Sequence, residues 1–191
     1  MLVTIESWFD TQINDWIVSI EALIDQLTGR NFKADAVASA RLFDGDGDQN
    51  LLIDDAVAVT KVEVGNDGYG ETFTEIAATG SDRYFLEPAN YAARNWPITS
   101  LMLNGRRWPE GRQNNRITAK WGYSVAVPAD ITFAATVFLA GVINQQRGGG
   151  DNIKSEKIGN YQVTYNEDGK NSWGDFDRAM EILAGYKKIR I

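Results

Sequence analysis

Apolar residues recur at spacings of three and four from the start of the chain, at Ile5, Trp8, Phe9, Ile13, Trp16, Ile17, Ile20, Leu23, Ile24 and Leu27. That period predicts a long amphipathic helix capped by Thr4 and stopped by Gly29, or two helices with a bend near Asn14. Glu6, Asp10, Asp15, Glu21 and Asp25 fall mostly off the apolar stripe and make an acidic face. From Ala36 the period changes to two. Ser39–Phe43, Asn50–Ile53, Ala56–Val64, Thr72–Ala77, Tyr84–Pro88, Ile98–Leu103 and Ile117–Trp121 read as short strands, separated by joints rich in Gly, Asn and Asp. In the last of them Ile117, Ala119 and Trp121 alternate with Thr118, Lys120 and Gly122, as in a half-buried strand.

A turn then leads to Pro128, suited to a first helical turn, and to Asp130 near the positive end of the helix dipole. Between Ile131 and Ile143 only Thr132, Thr136 and Gly141 interrupt the apolar residues, which predicts a central core helix without a wide polar face. Gly148, Gly149 and Gly150 end it as a hinge; the Lys-Ser/Thr of a phosphate loop is missing. Ile158, Tyr161, Val163 and Tyr165 alternate in a strand or hairpin arm, and Ser172 starts a last helix with Phe176, Met180, Ile182, Leu183 and Tyr186 as its apolar points. The expected fold class is α+β, mainly a helical bundle of N-terminal, central and C-terminal helices with an inserted antiparallel β module. Within one domain the segments are residues 1–35, 36–122, 123–150 and 151–191.

Composition narrows the chemistry. The 191 residues contain no Cys and no His, which removes disulfides, thiol catalysis, zinc–thiolate sites and Ser-His-Asp catalysis. An enzyme working through carboxylates or Lys stays conceivable, but nothing in the sequence nominates a substrate. The start of the chain lacks the pattern of a signal peptide, and the central apolar run is shorter than the roughly 20 residues that cross a bilayer; synthesis in the cytoplasm and no membrane partner are expected. The net charge of −7 is uneven. Residues 1–80 carry 4 basic and 15 acidic groups, residues 81–120 carry 7 and 3, and residues 121–191 carry 8 and 8. The overall sign disfavours wrapping by DNA, whose affinity comes largely from Lys and Arg. It remains compatible with a surface past which DNA slides.

Three constellations stand out. Asp44, Asp46 and Asp48, with Asn50 and Asp55, match the ligand spacing of a calcium loop. Gln49 stands where that loop needs Gly, however, and Asp-Gly repeats also make hairpin turns. Arg94, Arg106, Arg107, Arg112 and Arg116, interleaved with Trp96 and Trp108, suit single-stranded nucleic acid or a protein interface; the acidic total favours the interface. The same Trp-bearing loops support an alternative, a carbohydrate- or ligand-binding β module on a helical support. Asp54 and Asp55 are neighbours on a strand and point to opposite faces, which is unsuited to a catalytic dyad.

The ordered set of segments resembles the head–tail connector (neck adaptor, or head-completion) proteins of tailed bacteriophages. It comprises Leu-Thr-Gly-Arg-Asn-Phe (27–32), Arg-Leu-Phe-Asp-Gly-Asp-Gly (41–47), Tyr-Phe-Leu-Glu-Pro (84–88) and Trp-Pro-Ile (96–98). Ile-Thr-Ala-Lys-Trp-Gly-Tyr (117–123) running through Val-Pro-Ala-Asp-Ile (127–131) is its most telling part, followed by 157–165 and 182–190. The resemblance implies a helical bundle with an inserted β element, located in the virion neck, with no enzymatic activity and no cofactor. Copies would form a dodecameric ring beneath the portal protein, with DNA passing through and a downstream neck or tail-completion protein beyond. It implies that Trp173, Phe176, Met180, Ile182, Tyr186, Lys187 and Arg190 form a portal or subunit interface, with Gly148–Gly150 as its joint. Trp96, Arg106, Arg107, Trp108 and Arg112 would meet a neighbour or the tail. Glu6, Asp10, Asp15, Glu21 and Asp25 would line the channel, where acidic groups repel DNA.

Overall fold

The computed structural model describes residues 5–65, 72–146, 155–158, 161–164 and 170–188. Thr4, the Gly148–Gly150 joint and Arg190 lie outside these residues, as do the side chains of Glu6 and Trp173. The chain divides into two compact units, one of residues 31–127 and one of residues 1–30 with 128–191.

The first unit is a sheet. Its strands are β1 (Ser39–Gly45), β2 (Asn50–Gly65), β3 (Phe73–Glu75), β4 (Tyr84–Glu87), β5 (Ile98–Leu103) and β6 (Gly111–Trp121), with a short helix α2 (Tyr91–Arg94) between β4 and β5. They run in the order β1-β6-β2-β5-β4, antiparallel throughout, with β3 paired to β2. The expected pieces Asn50–Ile53 and Ala56–Val64 are one strand of 16 residues. Its first part pairs with β5 and its second with β6 and β3, and the register shifts between Leu52 and Ala56. The period-two reading of β6 holds: Ile117, Ala119 and Trp121 are buried in the core with Val62, Ile98, Leu101 and Trp108. Burying such side chains contributes about 1.5–3 kcal/mol each.

Two glycines meet close backbone. A Cβ on Gly45 would sit 2.0 Å from the Pro109 carbonyl oxygen. Gly122 has φ +129°, and a Cβ there would come within 2.6 Å of the Ala34 Cα. Only glycine lets these segments approach so closely.

The second unit holds α1 (Ile5–Thr28), α3 (Ala129–Gln146), a two-stranded hairpin of β7 (Ser155–Ile158) and β8 (Tyr161–Thr164), and α4 (Lys170–Gly185). α1 buries Ile20, Ile24 and Thr28, four apart, as a helix stripe must. Gly29, at φ +70°, ends it, with its N–H donating to the Asp25 carbonyl at 2.8 Å. α3 buries Ile131, Ala134 and Phe138, and α4 buries Ala179 and Leu183. The Phe138 and Phe176 ring centroids lie 5.3 Å apart. Tyr186 donates its hydroxyl to the Asp130 carboxylate at 2.8 Å, and Asp130 also accepts from the Ile131 N–H at 3.0 Å. The end of α4 is thereby fastened to the start of α3.

The expectation of a mainly helical bundle is overturned. The largest assembly is the six-stranded antiparallel sheet, and strand and helix take similar shares of the chain. The segments that read as an insertion carry most of the buried core, because pairing joins short apolar runs into long strands. The expectation for α3 changes too. One face is buried, while Thr132, Phe133, Thr136 and Ala140 are exposed. Residues as small as Ala and Thr give an apolar composition without requiring burial on every side. Among the described residues no helix is long and apolar enough to cross a membrane.

Candidate functional site

The most distinctive surface feature of the sheet unit is the loop from Pro88 to Pro97. Asn90 and Asn95 adopt φ +65° and +52°, left-handed values that Asn tolerates better than most residues. They bracket α2, whose backbone is tied by Tyr91 N–H to Pro88 O at 3.1 Å and Trp96 N–H to Tyr91 O at 2.9 Å. Tyr91 packs on the sheet core and Pro97 is buried. Between these anchors Trp96 is 43% exposed, an unusual position for so large an apolar ring. The Arg94 guanidinium lies 4.7 Å from its centroid, a cation–π stack. The result is a braced knob that presents an indole with a positive charge on it.

A cavity of about 450 Å³ lies elsewhere in the same unit, within the size range of pockets that hold small ligands. Val64, Ile76, Leu103 and Pro109 supply its apolar lining, and Glu75, Asp82, Arg106 and Arg107 its charges. Arg106 donates to the Asp82 carbonyl oxygen at 3.1 Å, and Arg107 to the Gly47 carbonyl at 3.2 Å, 3.5 Å from the Asp48 carboxylate.

The arginines expected to act together are thus held at different places. Arg94 is on the knob, Arg106 and Arg107 are at the cavity, and Arg112 is exposed on β6. Arg116 forms a bidentate pair with Glu63 at 2.8 and 2.7 Å and lies 4.1 Å from the Phe73 centroid. Those hydrogen bonds outweigh the effect of burial and, with Lys61 at 2.9 Å, hold the Glu63 carboxyl down to about 2. Trp108 is corrected from a surface residue to a core residue. It is 1% exposed, and its indole N–H donates to the Leu101 carbonyl at 3.1 Å. The neighbouring arginines and proline give it the look of a loop residue, and only the strand facing it reveals the burial.

The Asp44–Asp48 segment is a clasp. Asp44 accepts from the Gln113 N–H at 2.7 Å, Asp46 from the Asp48 N–H at 3.0 Å, and the Asp48 carbonyl from the Trp108 N–H at 2.8 Å. The carboxylates of Asp44 and Asp46 are engaged by backbone donors, as in a turn. Among the described residues no three acidic groups gather as a metal site.

In the helical unit, Asp10, Asp15 and Glu21 are exposed and Asp25 is half-buried. Burial, and secondarily the Glu21 charge, push the Asp25 carboxyl upward. Of the C-terminal set, Phe176, Met180 and Lys187 are exposed, while Ile182 and Tyr186 are half-buried. Phe133 on α3 is exposed with the Arg178 guanidinium 5.5 Å from its centroid. Ile17, Val18 and Leu23 are also exposed on α1. The sequence pattern assigned Phe133, Ile17 and Leu23 to buried stripes, so it gave no sign of their exposure, and Val18 lay off the α1 stripe. The cavity, with Glu75 and Asp82, has no local sequence signature because its walls come from four separated segments.

No protein-family model and no curated protein matches the chain. A solved structure does. The fold is similar to that of a chain in the "Neck of empty GTA particle computed with C6 symmetry", with a TM-score of 0.52 and 12% identity. The similarity covers 95% of this chain and 80% of that one. It is a likeness of fold, in which both the sheet unit and the helical unit take part.

Proposed function

We propose that the chain is a structural protein of a phage-type virion neck, which assembles as a ring under the portal, extends the DNA channel and connects head to tail. The observation that carries this reading is the fold similarity over nearly the whole chain to a protein in a GTA neck. The ordered segments that resemble connector proteins support it independently. The C6 symmetry in that neck's description is compatible with a ring of twelve copies. Exposed apolar side chains on three helices, including Val18, Phe133 and Phe176, suit a chain that buries more surface on assembly.

Within this reading, the C-terminal segment with Phe176, Met180 and Lys187 is the candidate portal-docking surface. Asp10, Asp15, Glu21 and Asp25 are the candidate channel face, which DNA would pass without sequence-specific binding. A downstream neck protein is the candidate partner on the far side. No enzymatic step belongs to the proposal. The glycan-binding alternative loses support, because one of its two tryptophans, Trp108, belongs to the core.

Co-expression with the portal protein of the same genome tests the reading. Affinity purification through a tag on the portal should recover this chain in several copies per portal ring, sedimenting with it. Recovery of a bare portal, with this chain monomeric in the unbound fraction, would overturn it.

A further inference from the structure

The register of the β4–β5 hairpin separates the knob from the cavity. Glu87 pairs with Ser100 at one end and Tyr84 with Leu103 at the other. The knob leaves the Glu87 end and re-enters at Ile98, whereas the cavity is walled by Leu103, by Asp82 just before Tyr84, and by the turn that carries Arg106 and Arg107. Six residues of β5 span about 20 Å at 3.3 Å per residue. Knob and cavity are therefore opposite ends of one rigid element, and neither Arg94 nor Trp96 lines the cavity of its own chain.

Their chemistries match. The knob offers an indole with a guanidinium stacked on it. The cavity offers an apolar lining of Val64, Ile76, Leu103 and Pro109 for the ring, and the carboxylates of Glu75 and Asp82 for the cation. Of the cavity's own guanidiniums, Arg107 turns to Gly47 and Asp48, and Arg106 donates to the main-chain carbonyl of Asp82 and not to its carboxylate, while Lys61 reaches the Glu75 carboxylate at 4.0 Å. Tryptophan and arginine filling a desolvated pocket are the residues that dominate protein interfaces.

We propose that the Arg94–Trp96 knob of one copy docks in the Glu75–Asp82 cavity of the next copy, forming the repeating contact of the assembly. This rests on the ring-forming reading above and names its contact. Because the two surfaces differ and sit at opposite ends of the hairpin, the contact is heterologous, the kind that propagates head to tail into a ring instead of closing as a two-fold dimer.

The absence of Cys from the chain makes a cross-linking test clean. Ala93, beside the knob, and Ala77, lining the cavity, are exposed and are replaced as Ala93→Cys and Ala77→Cys. The double variant is oxidised with diamide in complex with the portal protein and run on a non-reducing gel. The expected result is a ladder of covalent oligomers from the double variant, dimers only from an equimolar mixture of the two single variants, and monomers from either single variant alone. Adding Trp96→Ala or Glu75→Lys to the double variant should cut the ladder at least tenfold, with the circular dichroism spectrum unchanged. A ladder no stronger than that of an Ala93→Cys, Val125→Cys control pair, or one indifferent to Trp96→Ala, would overturn the contact. If rings form on the portal under those conditions, the ring reading survives and only the contact fails. A chain that does not bind the portal at all overturns both.

Discussion

Single residues set how the sheet unit responds to acid and to substitution. Glu63 is ionised in the fold down to about pH 2, against 4.5 for an unperturbed group. A depressed folded value means that its contribution to stability is fully present above pH 4.5 and is lost as pH falls from there toward 2. Thermal melts of the wild type should decline across that window more steeply than those of Glu63→Gln, which lacks the titrating group; parallel curves would show that the Arg116 pair does not couple to folding. Gly122→Ala forces a Cβ into the Ala34 backbone at a left-handed φ. The expected cost is on the order of 2–3 kcal/mol, read from denaturant unfolding. Neither effect is visible in the linear sequence, since Glu63 and Arg116 are 53 residues apart and meet only through the β2–β6 register.

At the scale of elements, the Asp130–Tyr186 hydrogen bond and the Phe138–Phe176 ring contact join α3 to α4. Tyr186→Phe removes a hydrogen bond to a carboxylate and should cost about 1.5–3 kcal/mol, while Phe138→Ala should cost about 3–5. Phe138→Asp buries an unpaired charge and should abolish the fold, as seen by loss of the cooperative melt. A stable, cooperatively melting Phe138→Asp protein would show that α3 packs through another face. Elements were the most legible part of the sequence. Ile98–Leu103 was bounded as the structure has it, and the alternation in Ile117–Trp121 correctly named its buried face. The joining of Asn50–Ile53 to Ala56–Val64 was not legible, because the two adjacent charges Asp54 and Asp55 interrupt the apolar alternation between them. Trp108 was misplaced because its burial depends on Leu101 and the Asp48 carbonyl, not on its neighbours in sequence. The apolar run of α3 indicated burial all round, whereas Phe133 and Ala140 remain exposed.

For the molecule as a whole, the architecture was less legible than the single elements, because the sheet is assembled by pairing between distant segments. The connector-like segments agree with the fold similarity to a neck protein, yet the balance of helix and sheet that they implied was wrong. The exposed helical side chains and the braced Trp96 knob are surfaces that the proposed ring would cover. The proposed place in the neck is tested by electron cryomicroscopy of this chain mixed with the portal protein of the same genome. The expected density is a coaxial ring of this chain on the portal, with a copy number that is a multiple of six, continuing the central channel. A bare portal, or density for this chain away from the portal axis, would contradict it.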